Sequence, residues 1–97
     1  MAKLEGTLAA ALDDVSASVD LYGVYNVSVT GTYVGSVWLE RSFDAGVTWA
    51  TVHVIANTEV IRSYNGREVE AGVKYRFKYG AYTSGTPSYR ISTGTNF

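Results

Sequence analysis

The sequence predicts an all-β protein, a single antiparallel β-sandwich of seven to eight strands, from three observations. Runs of alternating apolar and polar residues recur about every ten residues, separated by turn-forming residues, as in β-sandwiches. The chain has eight Tyr, two Trp and three Phe but only one Pro, and aromatic residues favour strands. No helical periodicity follows residue 12. A length of 97 residues corresponds to one domain.

The strand boundaries follow from the alternation and from the residues between the runs. Asn65-Gly66 is typical of a type I′ hairpin turn, because both residues tolerate positive φ, so the runs on either side of it are expected to pair. Ala71-Gly72 is predicted to turn the chain again before the longest strand. The predicted strands are, in chain order, 15–21, 25–30, 37–42, 49–56, 60–64, 67–70, 73–82 and 88–92.

The first fourteen residues are predicted to lie outside the sandwich domain, which spans 15–97. Leu4, Leu8 and Leu12 recur every four residues, which favours a short helix or an arm that docks on a partner. Gly6 and Thr7 weaken the helical pattern, so an edge strand is the remaining interpretation.

A hairpin is predicted where strands 37–42 and 49–56 meet. Ser42 and Asp44 are expected to accept hydrogen bonds from backbone N–H groups, and Gly46 to take positive φ. Thr48 restarts the strand, and Trp49 is expected to pack its indole under the turn. This S-x-D-x-G-x-T-W pattern resembles the Asp-box of sialidases.

The Asp-box resemblance implies a structural turn and not a catalytic site. Sialidases combine several copies of the box with an arginine cluster that binds a carboxylate. This chain has one copy, and the spacing of its arginines identifies no such cluster.

A second resemblance concerns the start of the longest strand. The run from Val69 to Phe77 is similar to the E–F corner of fibronectin type III domains, where a tyrosine follows a glycine turn. The resemblance implies an immunoglobulin-like sandwich in which Tyr75 is the corner tyrosine, its hydroxyl bonded to the upstream backbone.

Composition argues against several classes of function. A formal net charge of −1 provides no field that attracts nucleic acid or an anionic membrane. The absence of cysteine excludes disulfides and thiolate metal sites. His53 has no identifiable catalytic partners, and Asp13, Asp14 and Asp20 lack the ligand spacing of a calcium loop. We therefore expect a non-enzymatic protein without metal or cofactor, made in the cytoplasm without a signal peptide or membrane span.

The aromatic residues are too numerous for one small core, so some are expected at a contact surface. Tyr33, Trp38 and Tyr82 are candidate interface residues, and a glycan platform is the alternative. Carbohydrate platforms usually combine aromatics with amide side chains, and this chain has no Gln. Strand 73–82 adds alternating cations, here called the basic stripe, which is either a solvated face or a contact for an acidic partner. The basic stripe comprises Lys74, Arg76 and Lys78.

The order of three runs, 27–44, 70–76 and 81–86, resembles small β-sandwich structural proteins of tailed bacteriophages. The resemblance implies a virion component that binds other virion proteins as a homo-oligomer or multivalent array, without nucleic acid or membrane. Capsid decoration is the leading expectation. A tail or fibre component and a carbohydrate-binding module are the alternatives.

Overall fold

The computed structural model describes residues 2–93, and within that range six strands form one antiparallel sheet. The all-β, antiparallel prediction is confirmed. The strands are β1 (Lys3–Thr7), β2 (Val19–Thr30), β3 (Tyr33–Ser42), β4 (Ala50–Ala56), β5 (Ser63–Gly85) and β6 (Ser88–Thr93). Their order in the sheet is β1-β6-β2-β5-β3-β4, so β1 and β4 are its outer strands.

One face of the sheet encloses the apolar core. On β5, the side chains of Val73, Tyr75, Phe77 and Tyr79 are completely buried, because residues two apart in a strand point to the same face. The other strands contribute in the same way. The remaining core residues are Leu8, Leu21, Tyr25, Val27, Val29, Tyr33, Val37, Leu39, Ile55 and Ile91.

The sheet curves around this core. Phe77 on β5 and Tyr89 on β6 stack with their ring centroids 4.8 Å apart, although β2 lies between these strands in the sheet. His53 on the outer strand β4 stacks on Tyr64, near the start of β5, at 4.1 Å. Residues distant in the sheet order therefore contact one another across the core.

The predicted hairpin at Asn65-Gly66 is wrong, since both residues lie inside β5, paired with Asn26 and Tyr25 of β2. A Cβ at position 66 would lie 2.5 Å from Cζ of Tyr25. Gly66 is thus required because a buried tyrosine crosses it, an arrangement known for glycines in sheets.

The predicted turn at Ala71-Gly72 is also wrong, because β5 continues through it. The β2–β5 register runs from Leu21↔Val73 to Gly23↔Glu68, so residues 69–72 form a large bulge in β5. Bulges of this kind bend a strand. Residues 63–68 and 73–75, the first part of β5, pair with β2, whereas residues 74–85, the second part, pair with β3. Parts of three predicted strands thus belong to one strand.

Two other boundaries differ from the prediction. Val60 and Ile61 were placed in a strand but lie in the β4–β5 loop, 99% and 74% exposed. The strand predicted to begin at Val15 begins at Val19, and Val15 forms only an isolated bridge to Lys78. β-branched residues favour strands, but the β2–β5 pairing extends only to Ser63 of β5 and to Val19 of β2.

The N-terminal segment does not form the short helix that leucine spacing favoured. Lys3–Thr7 is an edge strand paired with β6, and Leu8 is buried in the core, with its N–H donating to the Pro87 carbonyl. Residues 3–7 of the arm therefore belong to the same sheet as the rest of the chain.

Candidate functional site

The β3–β4 hairpin is held by side chains of the S-x-D-x-G-x-T-W stretch. The hydroxyl of buried Ser42 donates to Oδ1 of Asp44 at 2.7 Å and accepts the N–H of Gly46 at 2.9 Å. Oδ1 of Asp44 also accepts the N–H of Thr48 at 2.8 Å, and Oδ2 accepts the Thr48 hydroxyl. These bonds satisfy groups that the tight turn would otherwise leave unpaired.

The Asp44 carboxylate is committed to this turn. Hydrogen bonds from the Thr48 side chain and backbone, and then from Ser42, lower the pKa of Asp44 to about 2. A carboxylate stabilised in its charged form by three donors is a poor proton acceptor, so it does not suit general base catalysis.

Trp49 closes the hairpin from the other side. Gly46 has a φ of 90°, and its carbonyl accepts the indole N–H of Trp49 at 3.1 Å. The guanidinium of Arg76 lies 4.2 Å from the centre of the half-buried indole ring, within cation–π range. One member of the basic stripe is thus used to support the turn.

The basic stripe is paired with carboxylates throughout. Lys74 contacts Asp20 at 2.8 Å, and Nε of Arg76 contacts Oε1 of Glu40 at 2.9 Å. Lys78 lies 3.5 Å from Asp13 and 5.7 Å from the Trp38 ring. Because each cation has an intramolecular counter-ion, the stripe offers little uncompensated charge to an acidic partner.

Tyr75 does not form the corner expected from the fibronectin resemblance. Its completely buried hydroxyl donates to Oε1 of Glu68 at 2.6 Å, and Nη1 of Arg41 contacts the same oxygen at 3.2 Å. The acceptor is a carboxylate and not the upstream backbone. Sequence reasoning missed Glu68 and Arg41, because β-bulge 69–72 determines which side chains converge.

The charges in this buried group are mutually supporting. Burial opposes ionisation of Glu68, but the hydrogen bond from Tyr75, the Glu70 N–H and the charge of Arg41 outweigh it, so the pKa of Glu68 is lowered. Burial, together with the hydrogen bond to Glu68, raises the pKa of Tyr75. Neither group is free to exchange a proton near neutral pH, and we interpret the trio as structural.

The three candidate aromatics do not form an exposed platform. Tyr33 is only 3% exposed, with its hydroxyl donating to the Ile55 carbonyl, so its assignment to an interface is wrong. Trp38 is half-buried, lies over Gly80 and donates to the Ser36 hydroxyl at 3.0 Å. Half-buried Tyr82 packs edge-on against a core tyrosine.

Other apolar side chains are exposed, among them Leu12, Tyr22 and Val69. Two groups of them flank β4. Phe43 and Val47 form the hairpin cluster, 55% and 79% exposed, just before the strand. Val60 and Ile61 form the loop cluster just after it. The sequence has two adjacent apolar residues, Val60 and Ile61, directly after the predicted turn 57–59. Their exposure was not predicted, because both residues were assigned to a strand.

A groove lined mainly by residues with polar side chains, here called the polar groove, lies across β1, β6 and β2. Its volume is about 310 Å³. Arg90 and Glu5 face each other there at 3.6 Å, both about half exposed. The other lining residues are Gly6, Ser28, Thr30, Ser88 and Tyr89.

Between residues 2 and 93, no group of three or more His, Asp or Glu side chains is arranged to hold a metal ion. The imidazole ring of His53 stacks on the ring of Tyr64. In the same range, no helix has the length and apolar character needed to cross a membrane.

Comparison of this chain with protein-family models, with curated proteins and with solved structures finds no match.

Proposed function

We propose that this chain is a non-enzymatic structural protein of a bacteriophage particle that acts through protein–protein contacts. The observation that carries the contact role is the pair of apolar clusters at the ends of β4, including Val60 at 99% exposure. Two groups of exposed apolar side chains at the same sheet edge favour an interface there. The particle is inferred from the sequence resemblance described above.

Within the particle, we place the chain on the capsid as a decoration or cement protein. A domain with a radius of gyration of 12.7 Å suits a repeated surface site, where many weak contacts reinforce one another. The tail or a fibre is the alternative location. The partners are other virion proteins and further copies of this chain.

The β-sandwich expected from the sequence is part of this proposal. In it, β1, β6, β2 and the first part of β5 form one layer, and the second part of β5, β3 and β4 form the other. The Phe77–Tyr89 and His53–Tyr64 stacks support that arrangement. Nuclear Overhauser contacts between the rings of each pair would be expected, and their absence would argue for an open sheet.

Immunogold labelling of intact particles from the source lysate tests the function. Even labelling over the heads supports decoration, whereas labelling confined to tails moves the chain to the tail or fibre. If no particle is labelled while the antibody recognises the purified protein and particles opened by denaturant also remain unlabelled, the virion proposal is wrong.

The polar groove favours carbohydrate binding as a second candidate function. Hydroxyl groups of Ser28, Thr30 and Ser88, beside Arg90 and Glu5, offer donors and acceptors to a sugar. Titration of host-surface glycans followed by NMR should shift the groove amides and lose that response in R90A. R67A, at an exposed arginine outside the groove, is the matched control. Unchanged spectra throughout the glycan series would exclude this candidate.

A further inference from the structure

Among the described residues, no strand pairs with the outer edge of β4, and this edge differs from the other border of the sheet. β4 reads Ala-Thr-Val-His-Val-Ile-Ala and contains no Asp, Glu, Lys or Arg. β1, at the opposite border, carries Lys3 and Glu5 within five residues. Charged residues on short edge strands discourage pairing with another chain. The structure thus protects β1 in this way and leaves β4 without that protection.

The backbone of the second half of β4 is regular. His53 to Ala56 pair in register with β3, from Leu39 to Ser36, whereas the irregularity opposite Leu39 and Glu40 falls at Val52. Val54 lies in the regular part and is 42% exposed. The N–H and C=O groups that point away from β3 have the spacing that an extended strand recognises.

We propose that β4 pairs antiparallel with β4 of a second copy of this chain, symmetrically about Val54. A two-fold axis at Val54 places that residue opposite itself and makes the interface isologous. Such pairing joins the two sheets edge to edge through backbone hydrogen bonds.

The two apolar clusters identify a second copy as the occupant. Antiparallel pairing about Val54 brings the segment after one β4 to the level of the segment before the other. Ile61 of the loop cluster therefore lies at the same end of the paired strands as Val47 of the partner's hairpin cluster, and this is the apolar contact that the pairing predicts. Both residues are more than 70% exposed in one copy, and the contact occurs twice by symmetry.

The distribution of charged residues also favours β4 over β1 as the edge that pairs with itself. Pairing of β4 with itself places no like charges opposite each other, whereas β1 paired with itself about its central residue would oppose two copies of Glu5. Like charges directly across an antiparallel pair are unfavourable. The self-pairing edge is therefore β4.

This inference specifies one contact within the proposed array, but it does not require the particle. The test uses the purified chain and measures its mass by sedimentation equilibrium from about 5 to about 500 µM, the range in which weak dimers dissociate. The matched variants are V54K and V69K, because Val69 is also exposed, at 75%, but lies in the β5 bulge.

We expect a reversible dimer for the wild type and for V69K. V54K opposes two ammonium groups at the two-fold axis and should raise the dissociation constant at least about tenfold. An equimolar mixture of V54K and V54E should recover the dimer, since opposite charges then meet. Recovery of the dimer in the mixture is expected only if residue 54 of one copy lies opposite residue 54 of the other. Circular dichroism verifies that each variant is folded.

A second readout covers the case in which V54K does not fold. V60S changes a loop residue that is 99% exposed and should weaken the dimer about tenfold without altering the thermal midpoint of the monomer. Amide hydrogen exchange in β4 should slow as concentration rises. A wild type that stays monomeric, a dimer unaffected by these substitutions, or β4 amides that exchange equally at all concentrations would overturn the proposal.

Discussion

The hydroxyl of Tyr75 donates to Oε1 of Glu68 at 2.6 Å, and this bond joins the two ends of the β5 bulge. Glu68 precedes the bulge and Tyr75 follows it, while Arg41 reaches the same carboxylate from β3. Both Tyr75 and Glu68 are buried. A charge-assisted bond in a buried site is stronger than an ordinary exposed one, so this pair stabilises the bulge between the two stretches of β5 that pair with β2.

Replacing Tyr75 with Phe should test the strength of that bond. Y75F keeps the ring in the core but removes one donor from buried Glu68, which should lower the free energy of unfolding by about 1.5–3 kcal/mol. Y22F is the control, because Tyr22 is 65% exposed. Urea denaturation measures both variants, and equal values for Y75F and Y22F would contradict a stabilising role for the bond.

The Asp44 turn should make stability depend on pH. The pKa of Asp44 falls from 3.8 to about 2 on folding, so the folded state favours the charged carboxylate. Its contribution is fully present above about pH 4 and is lost as pH falls through about pH 2. Thermal midpoints of the wild type and D44N should therefore differ most above pH 4 and converge below pH 2. A difference independent of pH would contradict this assignment.

Gly66 should not tolerate a larger residue, for a reason different from its predicted role in a turn. An added Cβ would overlap the Tyr25 ring, which is held between Tyr64 and Tyr75 at centroid distances of 6.2 and 5.1 Å. G66A should lower the free energy of unfolding by about 1–3 kcal/mol.

The neighbouring variant N65A provides the control for Gly66. Asn65 is exposed, so its truncation should change stability by less than about 0.5 kcal/mol. Chemical denaturation distinguishes the two positions. A neutral G66A would show that Tyr25 moves aside readily and that the close crossing is not required.

Truncation of Trp49 should destabilise the hairpin more than truncation of Phe43. W49A removes a half-buried indole, its hydrogen bond to the Gly46 carbonyl and its contact with Arg76, at a cost of roughly 1–3 kcal/mol. F43A removes a ring that is 55% exposed and should cost under about 0.5 kcal/mol. Thermal melts followed by circular dichroism provide the comparison, and the reverse order would contradict the packing described for Trp49.

Much of the fold was predictable where local and tertiary requirements agree. The alternation from Val73 to Tyr79 predicted a strand with one buried face, and the four aromatic and aliphatic residues of that face are completely buried. The spacing from Ser42 to Trp49 predicted a hairpin, and the groups involved bond within eight residues of one another. Local chemistry is sufficient in both cases, because the partners are neighbours in sequence.

Prediction failed where the partner lies far along the chain. Asn65-Gly66 has the composition of a turn, but Tyr25, on another strand, occupies the space above the glycine. Tyr33 was placed at an interface because aromatic residues are numerous, yet the curved sheet has room for it in the core. Neither outcome follows from the residues adjacent to these positions.

The sequence by itself determined the strand character of this protein, the position of the β3–β4 hairpin and the face of β5 that is buried. Only the tertiary structure decided that β5 runs unbroken through two turn-like dipeptides, that Glu68 and Arg41 meet Tyr75, and that the exposed apolar clusters lie at the two ends of β4. The physical reason is the distance along the sequence over which each effect acts. Alternation and turn hydrogen bonds act over a few residues, whereas register, bulges and sheet curvature depend on how distant strands fill one shared core.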